Sequence, residues 1–239
     1  GQASLMNHYA SSLSNAGILA GQALVSRVDL ESGRGYLNAR DALLGLIKSG
    51  SVPIVNENDV VAVEELEGEV FGDNDRLSAR IADVVDADVL IILSDVAGLF
   101  DQDPRSKRHA KLIVEVDGIT DEIRAMSGVE VAERSRGGMA TKVEAADMAT
   151  KIGIGVIIAS GNDEDILLRL HAGESIGTYF KPQSTHIEGR KRRMLAAIAR
   201  TGDQIIVNAG AATALVEKGS SLLPPGIVDV HGSFERGEF

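Results

Sequence analysis

Apolar residues recur along this chain in two alternating rhythms. In "GDNDRLSARIADVV", residues 72–85, Leu77, Ile81 and the Val84/Val85 pair fall at about i, i+4 and i+7/i+8, the spacing of a helix with one buried face. Leu5, Met6, Tyr9 and Leu13 predict a helix over 4–16. Leu37, Leu43, Leu44 and Ile47 predict another over 36–48, with Gly50 just past its end. Residues 121–126 and 139–152 read as two more. Short β-branched runs lie between them: 18–26, "VPIV" at 52–55, "KLIVEV" at 111–116 and "GVIIAS" at 155–160. The run "DVLIILSD", 88–95, is almost continuously apolar, which predicts a strand buried on both faces of a parallel sheet. Strands alternating with helices predict an α/β fold with a doubly wound, mainly parallel sheet.

The rhythm changes after residue 180. "KPQSTHIEGRKRR", 181–193, is polar, contains Pro and reads as a linker. Short runs broken by turn residues follow. The predicted organisation is one domain over 1–180, a linker over 181–201 and the start of a small β-rich domain over 202–239.

Ligands of open α/β sheets sit beyond the C-terminal ends of the strands. Three polar clusters fall there: Asn56-Glu57-Asn58-Asp59, Ser94-Asp95 and Ser160-Gly161-Asn162. Taken singly, each reads as a loop of turn and capping residues. Three on one edge point to a site. Asp73-Asn74-Asp75 opens a predicted helix, where a cap needs only one such residue. In "SRGGMATKVEAADMA", 135–149, Gly137-Gly138 lets backbone N–H groups face an anion at a helix start. Lys142 in the first turn opposes the helix dipole, but a bound phosphate would make it complementary. The Walker A loop and the G-x-G-x-x-G dinucleotide fingerprint are both absent.

Composition narrows the classes. Hydrophobic residues make up 44% and aromatic residues 3% of 239, so an aliphatic core is expected. No apolar run reaches membrane-spanning length. Cys is absent, which removes disulfides and thiolate metal sites. The net charge of −11 argues against binding nucleic acid by electrostatics, and residues 203–239 carry five acids against two bases. Arg190-Lys191-Arg192-Arg193 therefore reads as a solvated linker. The five histidines are scattered, so no protein-built metal site is expected.

With "PIVNENDVVA", "GDNDRLSA", "LSDVAGLFDQDPRS" and "GGMATKVEAAD" in this order, the chain resembles the glutamate 5-kinase family, enzymes of the amino-acid kinase fold. "GYLNARDALLGLI" upstream and "GAATALVEKGSSLLPPGI" downstream extend the likeness over essentially the whole length. The resemblance implies ATP-dependent phosphorylation of the γ-carboxylate of L-glutamate, with Mg²⁺, in the cytoplasm. By position it implies that Asp59 and Asn74 contact glutamate, with Asn56 and Asp73 in the same wall. It makes Lys142 and Asp75 catalytic: Lys142 stabilises the moving phosphoryl group and Asp75 organises the lysines. Ser94, Asp95 and the segment Arg136, Gly137, Gly138, Met139, Ala140, Thr141 and Lys142 would line the ATP site. The C-terminal part is similar to the start of a PUA domain. A homo-oligomer is expected, and so is feedback inhibition by proline, with residues 64–69 as its candidates.

Two departures count. Ser135-Arg136 stands where the family usually has Gly-Thr. The resemblance also begins after the family's first strand, its Gly-rich phosphate loop with a second lysine, and its Ser-Gly-Ala glutamate loop. Little kinase activity is therefore expected of the 239 residues alone. The alternatives are another amino-acid kinase, acting on acetylglutamate, aspartate or a small phosphate acceptor, and a non-catalytic RNA-binding protein.

Overall fold

The computed structural model describes residues 2–58, 74–107, 109–128, 138–185 and 204–232. The chain divides into two compact units, Gly1–Arg190 and Lys191–Phe239. The expected linker, 181–201, falls largely outside the described residues.

The first unit begins with α1 (Gln2–Ser14), β1 (Leu19–Val25), α2 (Arg27–Glu31), α3 (Gly33–Lys48) and β2 (Ser51–Glu57). β1 and β2 pair in parallel, from Leu19 opposite Ser51 to Val25 opposite Glu57. The Ser32 hydroxyl accepts the Gly35 N–H at 3.0 Å and so caps α3. Gly50, at φ +80°, ends that helix in a conformation that a Cβ disfavours. Leu43 is buried on the inner face of α3 and forms a core with Val25, Leu30, Leu77 and Val84.

The unit continues with α4 (Asn74–Val84), β3 (Val89–Ser94), β4 (Glu115–Val116), α5 (Asp121–Met126), α6 (Met139–Lys151), β5 (Gly155–Ser160), α7 (Ile166–His171) and β6 (Thr178–Phe180). Their sheet runs β3-β5-β6-β4. β3 and β5 are parallel, as are β4 and β6, and β5 with β6 is antiparallel. The expected α/β architecture with a mainly parallel sheet is present.

Two local expectations need correction. β3 is not buried on both faces: Val89 is 47% and Leu93 44% exposed, while Ile92 and Leu90 face the core. β3 stands at the sheet's edge, and the strand covered on both faces is β5. "KLIVEV" forms only the two residues of β4, with Leu112 bridging Phe100 just before it. α2, α7 and β6 are too short to show a period of their own.

Helix and strand lengths place the helix starts. α6, thirteen residues, and β5, six residues, each span about 20 Å. A turn of three residues, Ile152 to Ile154, joins them, so α6 runs back along β5. Its first turn therefore lies beside the C-terminal end of β5. α4 and β3 repeat the arrangement through a turn holding Asp86 at φ 51°. Arg40 seals that turn by donating to the Val84 carbonyl at 2.6 Å and to Asp86 Oδ2 at 2.5 Å.

α4 and α6 lie side by side, and their shared core is largely alanine: Ala79 and Ala82 with Ala145, Ala146 and Ala149. Methyl side chains let two helices approach closely. Farther along α6, the buried Asp147 accepts from Arg124 at 2.6 Å and from Lys151 at 2.7 Å, which ties α5 down. Burial pushes the Asp147 carboxyl up, but hydrogen bonds from Lys151 and Arg124 outweigh it and hold the pKa below the ordinary value. A depressed folded-state pKa gives stability that is present above the unfolded pKa and lost as pH falls through the folded one. The stability gap between the parent and Asp147→Asn should stay constant above about pH 5 and narrow below about pH 4. Urea unfolding across that range measures it; a gap that widens toward acid would refute the assignment.

The second unit holds β7 (Gln204–Val207), α8 (Ala209–Lys218), a 3₁₀ turn (Pro224–Gly226) and β8 (Ile227–His231), with β7 and β8 antiparallel. The expectation of a β-rich segment missed α8. Asn208 caps this helix by accepting the Ala211 N–H at 2.9 Å, and the run between Asn208 and Gly219 is rich in alanine, a strong helix former. Among the described residues, no helix is long and apolar enough to cross a membrane.

Candidate active site

Asp75 lies in the first turn of α4 and Lys142 in the first turn of α6. Because the two helices run alongside each other, both reach the same edge, beyond the C-terminal ends of β3 and β5. There Lys142 Nζ donates to Asp75 Oδ2 at 2.9 Å. The side chains are 16% and 13% exposed, so the pair is largely shielded from solvent screening. Thr141 joins it. Its hydroxyl lies 3.0 Å from Asp75 Oδ2 and 2.9 Å from the Gly138 carbonyl, and its single proton serves one of them at a time. Gly138 has no side chain to cap α6, and the Thr141 hydroxyl accepts the Gly138 N–H at 3.2 Å instead.

The edge has a second part. Ser94 and Ser160 are register partners at the ends of β3 and β5. The Gly161 N–H donates to the Ser94 carbonyl at 2.7 Å, and the Asn162 N–H to Ser160 Oγ at 3.2 Å. Ser94 Oγ bonds Asp95 Oδ1 at 3.2 Å, and Arg105 reaches Asp95 at 3.4 Å in a pair about three-quarters exposed. Two of the three polar clusters are thus joined on one edge. The third is separate: Asn56 is the last residue but one of β2, in the other sheet, and its Oδ1 accepts the Glu57 N–H at 3.0 Å. Asn74 is the first residue of α4, next to Asp75.

Among the ATP-site expectations, Gly138, Ala140, Thr141 and Lys142 sit at the start of α6. The Met139 side chain is partly buried and packs against the core. Asp59, Asp73, Arg136, Gly137 and residues 64–69 lie outside the described residues. Sequence reasoning missed one feature, an ion pair between Arg76 and Glu144 beside Lys142 and Asp75. Arg76 Nε and Nη2 both reach Glu144 Oε2, at 3.0 and 2.6 Å. The charges were visible in the sequence; their meeting needs two helices side by side.

Chemically, two helix starts and a lysine present positive charge to one spot, which suits a phosphate. A carboxylate fixes the direction of the ammonium. This is the equipment of a phosphoryl-transfer site, where positioning and charge neutralisation supply most of the catalysis.

The comparisons agree with that class. The model of the amino acid kinase family matches residues 1–160, and the PUA domain model matches residues 203–239. The chain belongs to the amino acid kinase family. It is 46% identical over 238 residues to a glutamate 5-kinase of Herpetosiphon aurantiacus, covering all of this chain and 63% of that one. A glutamate 5-kinase of Shewanella oneidensis is 47% identical over 237 residues, again 63% of its length. The chain therefore spans under two thirds of these curated relatives. Among solved structures, a T. acidophilum isopentenyl phosphate kinase overlays with a TM-score of 0.47 at 20% identity, over 72% of this chain and 63% of that one, too loosely to bear on the site.

Proposed function

We propose that the chain forms part of a glutamate 5-kinase, which transfers the γ-phosphoryl group of ATP to the γ-carboxylate of L-glutamate. The products are L-glutamyl 5-phosphate and ADP, and the step opens proline biosynthesis in the cytoplasm. The observation that carries this reading is the Lys142–Asp75 pair at 2.9 Å, set where the starts of α4 and α6 converge. The names of the relatives supply the acceptor.

A glutamate carboxylate oxygen attacks the γ-phosphorus in line as the bond to the ADP oxygen breaks. Lys142 offsets charge on the moving group, and Asp75 aims the ammonium. Ala140 and Thr141 offer backbone N–H groups at the start of α6, Gly138 lines the same turn, and Ser94 and Asp95 close the nucleotide side. Asn74, Asp59, Asn56 and Asp73 hold glutamate, whose ammonium suits carboxylates and amide oxygens. Mg²⁺ neutralises phosphate charge when bound. Among the described residues there is no cluster of three or more His, Cys, Asp or Glu that could hold a metal. The reading also brings feedback inhibition by proline and a homo-oligomer.

The test is to place the 239 residues into the Herpetosiphon aurantiacus relative in place of the stretch they match. The chimera is supplied with MgATP and each acceptor, and the acyl phosphate is trapped with hydroxylamine. Hydroxamate should form with L-glutamate and be inhibited by proline. Equal turnover of aspartate or N-acetylglutamate would overturn the reading, and so would retention of the chain on RNA with no turnover of any acceptor.

A further inference from the structure

We infer that Arg76 and Glu144 are positioning residues that lock the register of α4 against α6 and thereby hold Lys142 on Asp75. The inference rests on the proposed function only for its catalytic meaning. Its physical basis is the surface between the two helices. Side chains of different size interlock as ridges and grooves, and so resist sliding. The buried residues that α4 and α6 bring to their common core are mostly alanines, Ala79, Ala82, Ala145, Ala146 and Ala149 beside Val143, and side chains this small resist sliding weakly.

The charges supply what the seam lacks. Read from its start, α4 carries a negative and then a positive residue, Asp75 and Arg76. α6 carries a positive and then a negative one, Lys142 and Glu144. In the observed register both contacts are attractive, Lys142 to Asp75 at 2.9 Å and Arg76 to Glu144 at 2.6 Å. Sliding either helix brings Arg76 toward Lys142, or Asp75 toward Glu144. Like charges then meet, the device by which charged flanks select register in coiled coils.

The Arg76–Glu144 pair is about 40% exposed, and a pair of that exposure adds little to stability. Its effect is geometric. One residue of slip moves a helical group by about 1.5 Å, and a misplacement of about 1 Å can cost about 10²-fold in rate.

The test is acylation of the 239-residue chain by a small active ester, with the rate at each lysine read by mass spectrometry. Arg76→Ala and Glu144→Ala should each raise the Lys142 rate about two- to fivefold, the factor that corresponds to a half-exposed ion pair. Lys151 and Lys181, which are paired elsewhere, should not change. Arg76→Lys keeps the cation and should return Lys142 close to the parent rate. A merely stabilising pair would move all three lysines together or none. An unchanged Lys142 rate in either alanine variant, a rise shared by all three lysines, or no recovery in Arg76→Lys overturns the inference. Should an alanine variant fail to fold by circular dichroism, Glu144→Gln against Arg76→Lys gives the same contrast. In a second arm MgATP is added to the chimera described above, which restores the segments that precede the matched stretch. Protection of Lys142 supports a phosphate site there; no protection counts against the proposed function and leaves the register result standing.

Discussion

Replacing Lys142 with methionine is expected to lower kcat of the chimeric kinase by about 10²- to 10³-fold, the usual loss when one preorganised charge partner of a transition state is removed. Methionine keeps much of the length and loses the ammonium. The KM for ATP should change less, because on the proposed function the backbone N–H groups at the start of α6 would still bind phosphate in the ground state. The comparison must be made at a temperature where both proteins are folded. The variant removes the Lys142 ammonium from the Asp75 carboxylate, which is 13% exposed, and breaking such a pair also costs stability. Arginine should rescue poorly, since its planar fork cannot take the place of a compact ammonium 2.9 Å from one oxygen. A kcat within tenfold of the parent, with the variant folded, would remove Lys142 from the transferring group.

Lys142 also shows how far the sequence could be read. A lysine in the first turn of a helix runs against the dipole, and that local conflict marked it before any contact was known. Asp75 was marked by excess, since a helix start needs one capping residue and three polar ones gather there. Their meeting was not legible from spacing. They stand 67 residues apart and meet because two helix–strand pairs fold back in the same direction. Long elements with a clear period were legible: α4, α6 and β5 lie where the apolar spacing puts them. β3 was misjudged because an apolar run reports hydrophobicity and not which edge of the strand is paired. Arg76 and Glu144 read as surface charges because nothing in a single helix distinguishes a solvated residue from one half of a cross-helix pair.

The largest effect on stability is expected at Phe180. Its side chain is 1% exposed and is the largest among the fully buried residues. Phe180→Ala should cost about 3–5 kcal/mol, the range for deleting a buried aromatic ring. For a unit of this size that lowers Tm by roughly 6–20 °C. β6 has little freedom to collapse into the space. Gly177, just before it, sits at φ +79°, and a Cβ there would come 2.2 Å from the Ile158 carbonyl oxygen. The Thr178 hydroxyl accepts from the Leu99 N–H at 2.8 Å and donates to the Ile113 carbonyl at 2.6 Å. With both neighbours pinned, the cavity stays open. Calorimetry of the variant measures the loss; a fall of less than about 1.5 kcal/mol would show that the strand relaxes.

The alanine seam has a consequence for redesign. On the α6 side the buried face carries methyl groups, at Ala145, Ala146 and Ala149, which are wholly shielded from solvent. A valine at Ala145, the member of this set closest to the first turn, would act as a wedge between α4 and α6 without altering Asp75, Thr141 or Lys142. The width of the proposed phosphate site would therefore be adjustable from behind, by volume alone, while its charges stay as they are.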